Sequence, residues 1–260
     1  MVKKQKALRV LIVGYGEMGH AMQYLLRDRH HLSIYDSRPI EGLAPIDLEQ
    51  ETTLADFILF CIPCQPLGDV LERISPHLQQ HAGCLSISKG LDELGRPPAQ
   101  IYEQTFHAGQ RYCLLYGPMI SEEIRADRYA FAQLGCSDDV IYDKVRDLYR
   151  DTKLYIRHST DITGISWSVI LKNVYAMAFG MADELQLGDN VRGFLVVTAL
   201  EELSSIVVQL GGIPATPYHL AGLGDLITTA TSEDSHHHEL GRKLARGETE
   251  GIAGEGVHTL

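Results

Sequence analysis

Three glycines constrain how this chain begins. The apolar run Val10-Leu11-Ile12-Val13 stops at Gly14, and Gly16 and Gly19 follow at G-x-G-x-x-G spacing. Such a run is too short and too β-branched for a helix, so it reads as a central parallel strand with a helix starting near Glu17. Each glycine has its own task there. Gly14 permits a tight turn, Gly16 lets a ligand approach the backbone, and Gly19 lets the helix pack closely on the sheet. The free N–H groups at the helix start suit a phosphate. Residues 32–35 read as a second strand ending in Asp36, where an acid meets the ribose hydroxyls of a bound dinucleotide. Spacing and context together point to NAD, with NADP possible because Arg38 stands close by. Gly14, Gly16, Glu17, Met18, Gly19 and Asp36 are the candidate cofactor contacts.

Strands continue to alternate with helical stretches through residue 157, which implies an α/β fold with a doubly wound parallel sheet covered on both faces. Further strands are expected at 55–63, 83–87, 112–116, 129–134 and near 154–156, with helices over 66–79 and 138–149. Ligands of such sheets lie beyond the carboxyl ends of the strands, and Gly14, Asp36, Pro63, Lys89 and Gly117 all fall there. From Asp161 the texture changes to long apolar helical runs, 164–185 and 191–210, the second stopped by Gly211-Gly212. The expected division is therefore 1–157, a dinucleotide-binding domain, and 158–260, an all-α second domain.

The first long helix is apolar on nearly all sides, which puts Lys172 in the middle of a buried element. Lys172 reads either as a snorkelling surface lysine or as a proton carrier whose pKa burial has lowered. Asn173 beside it is either a helix-interior hydrogen bonder or part of the same site. Further on, Asp225 either caps the helix that begins there or contributes a carboxylate, and Thr228, Thr229, Thr231 and Ser232 supply hydroxyls. Adjacent histidines on a helix point to different sides, so His236, His237 and His238 do not form one metal site, and no metal is expected.

The formal charge of -11 argues against a nucleic-acid surface. No apolar stretch reads as long enough for a membrane span, and the early basic cluster is followed by too short a run for a signal peptide. Five scattered cysteines favour a reducing cytoplasm over a disulfide framework. Cys61 and Cys64 have redox spacing, but Cys61 ends an apolar run where a small buried residue is expected, so packing is the better reading.

Several blocks in this order resemble the bacterial-type, nicotinamide-dependent glycerol-3-phosphate dehydrogenases: the first glycine loop, Ser88-Lys89-Gly90-Leu91, Gly117-Pro118 with Glu122-Glu123, Asp161 to Gly164, Leu171-Lys172-Asn173-Val174, Gly188-Asp189-Asn190, Gly222-Leu223-Gly224-Asp225-Leu226 and Glu255-Gly256. The resemblance implies a Rossmann-type first domain and reversible hydride transfer between NAD(P) and sn-glycerol 3-phosphate, giving dihydroxyacetone phosphate within glycerophospholipid metabolism. It implies Lys172 as general acid/base, Lys89 and Asp225 as its catalytic partners, and Pro63, Ser121 and Glu255 as further cofactor contacts. Gly117, Asn173, Thr229, Ser235, His236 and His237, with Lys89, Lys172 and Asp225, then hold a small phosphate substrate. Three positions depart from the pattern. Ser235-His236-His237 stands where the family has Ser-Arg-Asn, Met119 replaces a serine, and Leu260 follows soon after Glu255, so an apparently truncated second domain is expected. The altered phosphate grip leaves two other readings open: a related dehydrogenase on another small hydroxylated substrate, and a catalytically impaired NAD(H)-binding sensor. An apolar helical second domain makes a homodimer the expected assembly.

Overall fold

The computed structural model describes residues 6–107, 109–136, 139–232 and 235–248. Seven strands, β1 (Arg9–Val13), β2 (His31–Tyr35), β3 (Phe57–Phe60), β4 (Gly83–Ser86), β5 (Arg111–Tyr116), β6 (Ala130–Gly135) and β7 (Leu154–Ser159), form one sheet in the order β2-β1-β3-β4-β5-β6-β7. Side chains alternate across it, as a pleated strand requires. Val10 and Ile12 join one buried cluster, whereas Leu11 and Val13 join the other. Helices α1 (Glu17–Leu26) and α6 (Asp139–Leu148) cover the first face. The second is covered by α3 (Leu67–Ile74), α4 (Pro98–Thr105) and the start of α7 (Ile162–Glu184), with α2 (Leu48–Leu54) contributing Leu48.

Two features differ from the sequence expectation. The sheet is not wholly parallel: β5 and β6 run antiparallel, with Leu115 opposite Leu134. The connection carries only α5 (Ser121–Arg125), whose five residues span about 7.5 Å and cannot return the chain along a strand of roughly 20 Å. The chain therefore turns back. Second, α7 is long and apolar enough by length and composition to cross a membrane, with a mean hydropathy of 1.2 over its most apolar 18 residues. It is a core helix here, with 56% of that stretch buried.

Among the described residues the strands end at Ser159 and all later regular elements are helical. After α7 come α8 (Asp189–Gln209), a π-helical turn over Leu220–Gly224, α9 (Asp225–Thr231) and α10 (His236–Ala245). Asp161 ties this part together. Its carboxylate caps α7 by accepting from Gly164 N at 2.8 Å, and also accepts from Ile213 N at 2.9 Å and Thr216 Oγ1 at 2.5 Å. Helix α10 crosses α7 at glycines. A Cβ on Gly180 would lie 1.9 Å from the His238 carbonyl oxygen, and one on Gly241 2.0 Å from that of Met177.

Candidate active site

The glycine loop has the shape its spacing predicts. Gly14 has φ +96°, and a Cβ there would meet the Cys61 carbonyl at 2.6 Å. Gly19 sits under the loop, where a Cβ would meet the Gly14 carbonyl at 2.2 Å. Beside Gly16 there is open space to 4 Å, and α1 starts at Glu17 with no side chain capping its N–H groups among the described residues. Asp36 steadies the loop: its carboxylate accepts from Tyr15 N at 2.8 Å and Arg38 N at 3.0 Å. Partial burial works against its charge, but those two N–H groups and the Arg38 guanidinium outweigh it and hold the carboxyl below its usual range. This open backbone and helix start fit a dinucleotide phosphate, and the acid fits a ribose. Pro63 lies in the loop after β3, against which Gly14 packs. Glu255 lies outside the described residues.

A cavity of about 660 Å³ opens between this loop and the helical part. Glu17 and Met18 of α1 line it, as do Lys89, Ser121, Lys172, Asn173, Asp225, Thr229, Ser235, His236 and His237. The polar junction is specific. Asp225 is the first residue of α9, only 4% exposed, and its side chain does not cap that helix. Its Oδ2 instead accepts from Lys89 Nζ at 2.9 Å and lies 3.2 Å from Lys172 Nζ. Lys172 Nζ also donates to Thr229 Oγ1 at 2.5 Å, and that hydroxyl donates onward to the Asp225 carbonyl at 2.7 Å. Lys89 comes from the loop after β4, which is held in place by Ser88 Oγ donating to the Ile62 carbonyl and Tyr116 OH donating to the Ser88 carbonyl, both at 2.6 Å.

These neighbours set the charges. Burial pushes the Lys172 ammonium down to about 8, with Asp225 opposing and Lys89 assisting the shift. Burial alone would raise the Asp225 carboxyl, yet the two ammonium groups keep it below the ordinary value. His237, buried on α10, is pushed down to about 4 by desolvation first and by Lys172, Lys89 and His236 next, so it is neutral near pH 7. His236 stays exposed at the cavity rim. The three adjacent histidines do diverge. His238 turns away to Asp183 on α7, and among the described residues no cluster of three or more His, Cys, Asp or Glu could hold a metal ion. Cys61 is half-buried, and desolvation pushes its thiol up to about 12, which suits packing rather than redox chemistry.

Gly117 does not reach the lining. It has φ +152°, and a Cβ there would lie 2.5 Å from the Phe131 carbonyl, so it packs against β6. Met119 and Ile120, two and three residues further on, line the cavity instead. The sequence reading gave no site role to Glu122 and Glu239, which also line the cavity, whereas Thr228 and Ser232, named there as hydroxyls beside Asp225, do reach it. Glu239 was within reach, because it lies one helical turn after His236. Ser121 sits beside the glycine loop, its Oγ donating to Glu17 Oε2 at 2.8 Å.

Comparison with known proteins gives the family and the fold. Residues 39–141 match the model for the N-terminus of NAD-dependent glycerol-3-phosphate dehydrogenase, and residues 161–259 match that for its C-terminus. A glycerol-3-phosphate dehydrogenase [NAD(P)+] from Nitratidesulfovibrio vulgaris is 28% identical over 284 residues, covering 97% of this chain and 86% of the relative. One from Oleidesulfovibrio alaskensis is 30% identical over 232 residues, covering 84% and 70%. In fold, the chain is similar to a glycerol-3-phosphate dehydrogenase from Coxiella burnetii, with a TM-score of 0.82 at 23% identity, covering 93% of this chain and 81% of that one. With both halves matched in order and a relative of 30% identity spanned over 70% of its length, the chain belongs to the NAD(P)-dependent glycerol-3-phosphate dehydrogenase family.

Proposed function

We propose that this chain is an oxidoreductase moving hydride between NAD(P) and sn-glycerol 3-phosphate, with dihydroxyacetone phosphate as the ketone. The observation that carries the proposal is one buried carboxylate, Asp225, gripping both Lys89 and Lys172 at the wall of the cavity. Residues 1–157 hold the cofactor and 158–260 supply the acid/base. A bound nicotinamide supplies or accepts the hydride. Lys172 handles the proton. As an ammonium it gives one to the ketone oxygen. As an amine its two N–H groups serve Asp225 and Thr229, which leaves the lone pair for the hydroxyl proton of the alcohol. The Lys89 ammonium, fixed by the same carboxylate, stabilises negative charge developing on that oxygen. The test is initial rates with reduced cofactor and dihydroxyacetone phosphate beside unphosphorylated ketones; turnover of the latter alone would overturn the substrate.

The start of α10 favours a second reading, a related dehydrogenase on another small hydroxylated substrate. Two imidazoles stand there, and an imidazole offers a phosphate one donor where a guanidinium offers two in parallel. If the phosphate binds at this end, His236→Arg should tighten the ketone phosphate about tenfold at pH 8, the equivalent of about 1.4 kcal/mol. Equilibrium titration of the NADH-loaded protein checks this, and no gain would move the phosphate elsewhere.

Asp36 is expected to set cofactor choice, because a carboxylate accepts from ribose hydroxyls and repels a 2′-phosphate. Catalytic efficiency should therefore be higher with NADH than with NADPH, and Asp36→Ser should narrow the gap. Equal or better efficiency of the parent with NADPH would refute this role. We further place the chain in the cytoplasm, in glycerophospholipid metabolism, as a homodimer. Support for the dimer comes from the exposed Phe194 and Val197 on α8, an apolar face suited to association. Light scattering reads the assembly directly.

A further inference from the structure

The tip of α10 brings Ser235, His236 and His237 into the cavity, and what fixes the angle of that tip is its packing on α7. That packing is a backbone crossing at Gly180 and Gly241, where both positions lack room for a Cβ. Glycine at both positions lets the two backbones approach closely.

A polar contact between the two helices lies beside it. His238, 4% exposed, places its Nε2 2.8 Å from Asp183 Oδ2 near the end of α7. Asp183 Oδ1 in turn accepts from Arg192 Nε at 2.7 Å and lies 2.6 Å from Arg192 Nη2, from the first turn of α8. Arg192 also meets Asp189 at 3.1 Å. Three helices thus meet on one carboxylate; partial burial works against the Asp183 charge, but the hydrogen bonds from Arg192 and His238 outweigh it and hold the carboxyl below its usual range. A charged tether, Arg246 at the C-terminal cap of α10 to Glu184 at 2.8 Å, sits at the far end of the helix from the cavity.

We propose that Arg192, Asp183 and His238 form a positioning chain that sets the substrate-facing tip of α10. None of the three lines the main cavity; they act through Ser235, His236 and His237. The role rests on the reading that this tip meets the substrate, and removal of the chain should weaken substrate capture while sparing both the cofactor loop and the Lys172 junction.

The test uses His238→Leu, Asp183→Asn and the surface variant Arg192→Gln, with His238→Gln as the conservative control because its amide nitrogen can replace Nε2. In His238→Leu and Asp183→Asn, KM for dihydroxyacetone phosphate should rise about tenfold or more, kcat should stay within about threefold and NADH affinity should not change. His238→Gln should recover most of the loss, and Arg192→Gln should show a smaller one. A second readout needs no substrate. His237 resists protonation down to about pH 4 because it is buried and stands beside Lys172, Lys89 and His236, with Asp225 opposing. Histidine NMR, assigned with His237→Asn, should show its titration moving up toward the ordinary range, near about 6.5, when the tip loosens. An inactive parent would refute the substrate reading, and the NMR readout would still judge the positioning chain. Unchanged KM and unchanged His237 titration would overturn the proposal. So would equal losses in kcat, KM and NADH affinity, and where His238→Leu fails to fold, Arg192→Gln decides by the same two measurements.

Discussion

Lys172→Met is expected to leave NADH binding nearly unchanged and to cut turnover by about 10²–10⁴-fold, the usual contribution of a positioned general acid/base. Methionine matches the lysine stem in length and apolar character, so the core of α7 should keep its packing. What disappears is a buried ammonium whose affinity for its proton has been brought down to about 8, close to working pH. Lys172→Arg should fail as fully, because a guanidinium cannot release a proton at such pH and its fork does not fit a pocket shaped by one carboxylate and one hydroxyl. Turnover within a few-fold of the parent in either variant would make Lys172 structural. The parent should also show opposite pH trends for the two directions: ketone reduction falls as pH rises through about 8, where the ammonium is lost, and alcohol oxidation rises over the same window.

Lys172 could be singled out from the sequence for a physical reason. A charged residue in a helix apolar on nearly all sides violates a strong rule, and violations of local rules collect at functional sites. The glycine loop was legible for a similar reason, since its spacing has a steric meaning that the Gly14 and Gly19 contacts bear out. The apolar runs of β1 and β3 were legible because they are short, β-branched or aromatic, and bounded by turns. Other features had no local signature. The antiparallel β5–β6 pair uses the same residue types as a parallel one, and only the shortness of α5 decides it. Lys89, Lys172 and Asp225 lie far apart in the chain, and no periodicity announces that one carboxylate oxygen will hold both lysines. Resemblance supplied that grouping. It offered nothing for His238 and Asp183, whose contact depends on how α10 lies across α7, and it put Gly117 at the substrate, whereas the left-handed backbone turns that residue toward β6 instead of the cavity.

Asp225→Asn should produce the second large effect, and its direction follows from the signs at the junction. The carboxylate raises the Lys172 pKa against burial and against Lys89. Without it two ammonium groups face each other across a neutral amide, and Lys172 should release its proton well below pH 8. The alkaline limb of ketone reduction should then move toward or below neutrality; a limb centred near about pH 6.5 would cut reduction at about pH 7.5 roughly tenfold, because only about a tenth of the lysine would still carry its proton. Stability carries the same signature. Asp225 has a depressed pKa, so its contribution is present above the unfolded value near about 3.9 and is lost only as acid carries the pH through the lower folded value. Lys172 acts oppositely: between about 8 and the ordinary lysine value of 10.5 the unfolded chain holds more protons, so stability rises with pH across that window. Removing one partner from a buried charge group costs about 3–5 kcal/mol when the other must stay charged. Here Lys172 can neutralise itself, so the loss should be smaller and should shrink from pH 7 to pH 9. Rate–pH profiles and thermal melts of parent and variant measure both effects; an alkaline limb that stays near pH 8 in Asp225→Asn would show that the carboxylate does not govern the proton on Lys172.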